Sequence, residues 1–167
     1  MYAADTGNSA VAMILSTSGV DLNESLIYAS EAGSVNMVRL VLGFKIFPNT
    51  KDLEGWTALM HAADRGHTEV VRLLLSRGAY PNSAGPKGWT AIMLAAGRGH
   101  EDTVDLLLTS GANPMQQDEE YWSALTWAAA KGRVEVLRQL ITSGANPNER
   151  MPDGSTPLMW AATFGHL

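Results

Sequence analysis

Two kinds of apolar block alternate along most of the chain. The first opens on Thr or Ser and is built of small and apolar residues: TALMHAA from Thr57, TAIMLAA from Thr90, SALTWAA from Ser123 and TPLMWAA from Thr156. The second carries longer side chains: VVRLLL from Val70, TVDLLL from Thr103 and VLRQLI from Val136. Apolar residues in the second kind cover a broad face at helical spacing, and the first kind predicts a short helix of its own. Thr57, Thr90, Ser123 and Thr156 are placed as N-caps, and Pro157 stands at the favoured first helical position. Gly33, Gly66, Gly99, Gly132 and Gly165 fall where the first helix of each pair should end in a left-handed cap. A helix pair this small cannot bury its apolar face alone, so stacking on neighbours is expected to create the core.

The blocks repeat with a fixed period. Trp56, Trp89 and Trp122 are 33 residues apart, and the next step lands on Ser155. One step back from Gly55, the segment Leu22 to Asn49 keeps Leu26, Ala29, Gly33, Val38, Leu40, Leu42 and Asn49 in register. With T-A-L or T-P-L followed by A-A, then G-H, then an L-L-L run and G-A, these residues resemble the ankyrin repeat. The resemblance covers nearly the whole chain. It implies an all-α ankyrin-repeat solenoid: stacked helix-turn-helix units joined by β-hairpin fingers, with a concave face. The expected organisation is a single array over 1–167, with a partial unit at 1–21, units at about 22–48, 49–81, 82–114 and 115–147, and a partial unit at 148–167.

The departures from the family pattern are informative. The family His after T-P-L is replaced by Ile27, Met60, Met93, Thr126 and Met159. Lys45 stands where Gly78, Gly111 and Gly144 stand in the other units. Either Lys45 is strained there or the turn moves to Gly43. The first unit, aligned on Met1, Gly7, Gly19 and Asn23, falls short of the period, so its finger is expected to be almost absent. The chain begins and ends inside repeats, and is therefore expected to be a segment of a longer array.

Composition narrows the function. The net charge of −5 argues against a nucleic-acid partner, which requires a basic face. No apolar run approaches the roughly 18 residues of a membrane span, and no signal peptide is visible at the start. The chain has no cysteine, which removes disulfides and thiolate metal sites and fits an intracellular, cytoplasmic setting. His67, His100 and His166 are one repeat position, the G-H of the family, and no metal site is expected of them. No catalytic triad or nucleotide-binding motif is present, so no cofactor and no catalysis are expected.

The candidate partner-binding residues form columns. Trp56, Trp89 and Trp122 follow each finger, at the junction of finger and groove that the family resemblance implies. A second column holds His61, Trp127 and Trp160, with Tyr28 and Leu94 in register. A third, Arg65, Arg98 and Lys131, reads as a cationic stripe within an acidic protein. In the family the second and third columns lie on the concave face. Asp118, Glu119 and Glu120 read as an acidic finger tip, while Glu69/Arg72 and Glu135/Arg138 read as solvated pairs on second helices. The expected function is a non-catalytic protein-interaction module, a scaffold or adaptor binding a protein or peptide, acidic with apolar anchors. The alternative is a regulatory segment of a larger enzyme or channel whose chemistry lies outside this chain.

Overall fold

The computed structural model describes Gly19 and residues 21–166. The expectations for the first unit before Asp21, including its shortened finger, lie outside the described residues, Gly19 apart.

Nine α-helices run through the described part: α1 (Leu22–Glu31), α2 (Val35–Leu42), α3 (Ala58–Arg65), α4 (Thr68–Ser76), α5 (Ala91–Arg98), α6 (Glu101–Thr109), α7 (Ala124–Ala130), α8 (Val134–Thr142) and α9 (Pro157–Thr163). They form two rows. The first helices stack in the order α1, α3, α5, α7, α9, the second helices in the order α2, α4, α6, α8, and α1, α3, α5 and α7 each pack on the second helix that follows. The result is an all-α helical-repeat solenoid.

The small residues of the first row explain its close stacking. Ala58, Ala62 and Ala63 of α3, Ala91, Ala95 and Ala96 of α5, and Ala124 and Ala128 of α7 are almost fully buried. The second row supplies the bulk of the core: Val38, Val71, Val104 and Leu74, Leu107, Leu140 are sealed from solvent. The expected N-caps operate at Thr57, Ser123 and Thr156, whose hydroxyls accept from the N–H of Met60, Thr126 and Met159. Thr90 departs from this: its buried hydroxyl has no partner among the described residues.

Where β-hairpin fingers were expected, the described loops carry only isolated antiparallel bridges, Lys51 with Thr57 and Gln117 with Ser123. The reason is local. Asp52 Oδ1 accepts from the N–H of Glu54 and Trp56, and Asp118 Oδ1 from those of Glu120 and Trp122. A side-chain carboxylate thus closes each tip and takes the donors a longer ladder would need.

Adjacent units are latched through the G-H position. The Nε2–H of His67 donates to the Glu31 carbonyl at 3.0 Å, and that of His100 to the Asp64 carbonyl at 2.9 Å. Arg133 takes the same place in the next unit and donates from Nε to the Gly97 carbonyl at 3.2 Å. Gly66 is required twice over. Its φ is +71°, and a Cβ there would sit 2.6 Å from the His100 ring. A second ladder runs along the loops: Asn49 accepts from the Tyr80 N–H and donates to the Gly78 carbonyl, and Asn82 does the same with Asn113 and Gly111. Met115 occupies the next step and the ladder stops.

Lys45 keeps the left-handed turn, at φ +58°, while Gly43 remains helical at φ −63°. The turn has not moved, so the strain expected of a side chain in this region is present. Replacing Lys45 with Gly should raise stability by about 0.5–1 kcal/mol, after allowing for the extra freedom glycine gives the unfolded chain. Urea denaturation of Lys45→Gly against Lys45→Ala checks this: only the glycine variant should gain.

Candidate functional site

The two aromatic columns read separately in the sequence meet in the structure as one array. Trp56 lies edge-on to Trp89, with ring centroids 6.2 Å apart, and Trp89 lies edge-on to Trp127 at 5.4 Å. Trp127 meets Trp122 at 4.6 Å, Trp122 meets Trp160 at 4.8 Å, and Trp160 stacks on Phe164 at 6.1 Å. His61 joins the other end, 5.2 Å from Trp56. All five tryptophans are half-buried, so each packs on a neighbour and still presents an edge or part of a face. Such pairs contribute about 0.5–1.5 kcal/mol each beyond area burial, which makes the array a stiff surface.

The helix tryptophans are aimed by their own fingers. Trp127 donates its indole N–H to Asp118 Oδ2 at 3.0 Å, nine residues earlier. His61 meets Asp52 Oδ2 at 2.7 Å over the same interval of nine. Trp160 points its indole N–H at Met151 Sδ, again nine back, and at Ser155 Oγ. In the unit between His61 and Trp127 the two positions are Gly85 and Leu94: with no donor, no acceptor is supplied. The sequence held this signal in its nine-residue spacing, but a carboxylate in a polar loop reads as solvated. Asp118 in consequence is not part of an exposed acidic tip. It is 7% exposed, committed to Trp127 and its own turn, and only Glu119 and Glu120 reach solvent.

The cation column divides. Arg65 donates to Glu31 Oε1 at 2.7 Å and Arg98 to Asp64 at 2.8 and 3.2 Å, each partner 34 positions earlier in the preceding unit. The hydrogen bond and charge of Asp64 hold the Arg98 guanidinium pKa above its usual value. Lys131 has no carboxylate partner among the described residues. The stripe read from sequence is therefore two ion pairs and one unpaired cation. On the other row, Arg72 with Glu69 at 3.5 Å and Arg138 with Glu135 at 3.3 Å are the exposed pairs expected there.

Another internal exchange is visible at Thr126, which stands where Met60 and Met93 stand in other units and is fully buried. Its hydroxyl donates to Glu149 Oε1 at 2.8 Å, and Ser123 donates to the same oxygen. A buried hydroxyl is tolerated there because the next loop supplies a carboxylate to meet it.

The family model for ankyrin repeats matches the chain in three copies, at residues 1–85, 26–118 and 92–167. The chain belongs to the ankyrin-repeat family. Among curated proteins no relative of it was found. The paired helix rows, the G-H latches and the T-P-L-type caps are thus the working parts of an ankyrin array, a class of generally non-catalytic protein-interaction modules. Among the described residues no helix is long and apolar enough to cross a membrane.

Partial burial works to raise the Asp52 carboxyl pKa. It is outweighed by the hydrogen bond to His61, the N–H groups of Trp56 and Glu54 and the charge of His61, which together hold it below the usual carboxylate range. A depressed folded-state pKa stabilises the protein above the unfolded value, near 4, and the contribution is lost as pH falls through the folded value. Between pH 5 and about 3 the wild type should therefore lose more stability than Asp52→Asn, as read by urea midpoints at each pH. Equal acid slopes would show that Asp52 has no such role.

Proposed function

We propose that this ankyrin array is a non-catalytic binding module whose groove, lined by the aromatic array, takes a partner protein or peptide in a scaffold or adaptor role. The observation that supports this most strongly is the continuous aromatic surface running from His61 to Phe164 across three helix pairs and α9. First-helix alanines and second-helix leucines fill the fully buried core, whereas the tryptophans are only half-buried. Large half-buried aromatics that retain exposed edges have the composition of interface hot spots, which favour Trp and Arg. The fingers hold Trp127 and Trp160 in place before any partner arrives, so little of their side-chain entropy remains to be lost on binding. The single array over 1–167, the residues Trp56, Trp89, Trp122, Trp127, Trp160, His61, Arg65, Arg98 and Lys131 as its contact surface, and a cytoplasmic setting belong to the same proposal.

Trp127 sits at the junction of the two aromatic columns, in contact with both Trp89 and Trp122. Trp127→Ala should weaken a groove-bound partner by about 2 kcal/mol or more. Arg72→Ala, on the second-helix row, should leave binding unchanged. Titration calorimetry with folded variants tests the pair. Loss at Arg72 with none at Trp127 would move the partner to the other face.

A further inference from the structure

Between α5 and α7 the aromatic groove opens into a recess of about 340 Å³. It is lined by Trp89, Leu94, Gly97 and Trp127, by the cations Lys131 and Arg133, and by the Arg98–Asp64 pair, whose charges offset each other. A volume of this size is at the lower end of what small-ligand pockets offer, and it suits one large side chain with its flanking backbone.

The recess has one sequence cause. Arg65 pairs with Glu31 and Arg98 with Asp64, each 34 positions back. The same interval counted back from Lys131 reaches Gly97. This glycine removes two things at once. It takes away the carboxylate that would neutralise Lys131, and it takes away the side chain that would cover the groove floor against Trp127. Nothing in the backbone requires glycine at this point. Gly97 lies in the last turn of α5 without a positive φ, and an added Cβ would meet only the Trp127 side chain, at 3.8 Å and beyond. Arg133 spends its Nε–H on the Gly97 carbonyl, and no carboxylate among the described residues meets its guanidinium. The walls are fixed in advance, Trp127 by Asp118 and Trp89 by edge contacts with Trp56 and Trp127.

We propose that this recess is the specificity pocket of the groove: it receives one aromatic or large aliphatic side chain of a partner peptide, while an adjacent Asp or Glu of that peptide takes the place of the absent carboxylate opposite Lys131 and Arg133. The apolar part lies against Leu94 and the solvent-facing surfaces of the two indoles, where its area is removed from water. The acidic part meets two cations at a partly desolvated rim, where opposite charge sets register and excludes basic sequences. The proposal rests on the groove reading above, and sharpens it to one position and one chemistry.

The test is a ribosome-displayed library of random 12-residue peptides, selected in parallel on the wild-type chain and on two variants. Gly97→Asp restores at this position the kind of carboxylate that Glu31 and Asp64 supply to their neighbours. Gly97→Leu fills the recess. Both replace a glycine in the last turn of α5 whose φ is not positive and whose Cβ would make only ordinary contacts, so thermal midpoints should not fall. The wild-type pool should be enriched in an aromatic or large aliphatic residue beside Asp or Glu. Synthetic peptides from that pool should bind Gly97→Asp and Gly97→Leu at least about tenfold more weakly than wild type. Lys131→Glu with Arg133→Glu should reverse the charge preference. Peptides that bind all Gly97 variants alike but lose affinity with Trp127→Ala would overturn the pocket and leave the groove reading standing. No enrichment on the wild type over Gly97→Leu would likewise overturn the pocket, and peptides indifferent to Trp127→Ala as well would overturn both.

Discussion

Everything in this molecule follows from one constraint: each helix pair has more apolar surface than it can bury by itself. Leu74, Leu107 and Leu140 are sealed only because a neighbouring pair lies against them. The energy of the array is therefore nearest-neighbour energy, and each unit must present matching groups to the next at a fixed interval. The polar contacts obey the same rule. The G-H latch spans 36 positions, the cation–carboxylate pairs 34, and the asparagine ladder 29 and 31. These intervals are all close to one repeat, which is what a rigid stack requires of any side chain reaching across it.

A structure built from repeated contacts makes its departures readable. Gly85 with Leu94 lacks the finger-to-helix bond found at His61, Trp127 and Trp160. Thr126 replaces methionine only where Glu149 arrives to receive its hydroxyl. Met115 interrupts the asparagine ladder. Gly97 vacates a position that Glu31 and Asp64 use for pairing. Three of these changes weaken the regular array, and two of them, at Leu94 and Gly97, fall together on the groove at the same recess. Function in such a fold is written as exceptions to the stacking pattern, because the pattern itself serves stability.

Ankyrin membership does not fix what is bound, since one fold serves many functions. What this chain adds to the family frame is the aromatic density of its groove. Five tryptophans in one contact network form a surface that is stiff and amphipathic. Indole N–H groups of Trp127 and Trp160 are held by acceptors in the fingers, so the rings are oriented by the same loops that define the groove edge.

The period, helix order, caps and left-handed glycines were legible in the sequence, because they depend on contacts within a few residues or on strict repetition. So was the separation of the groove columns from the outer pairs Glu69/Arg72 and Glu135/Arg138. The tertiary structure decided three things. It merged the Trp56–Trp89–Trp122 column with the Trp127–Trp160 column, because the finger brings residues from adjacent units within ring contact. It divided the Arg65–Arg98–Lys131 stripe into paired and unpaired members, because each counter-ion comes from the preceding unit. And it drew Asp118 inward from an apparent acidic tip, because a carboxylate that satisfies two backbone donors and an indole is more stable in the turn than in water. A linear pattern states which residues recur; which of them face one another across the stack depends on the rise and rotation between units, and only the folded chain contains that.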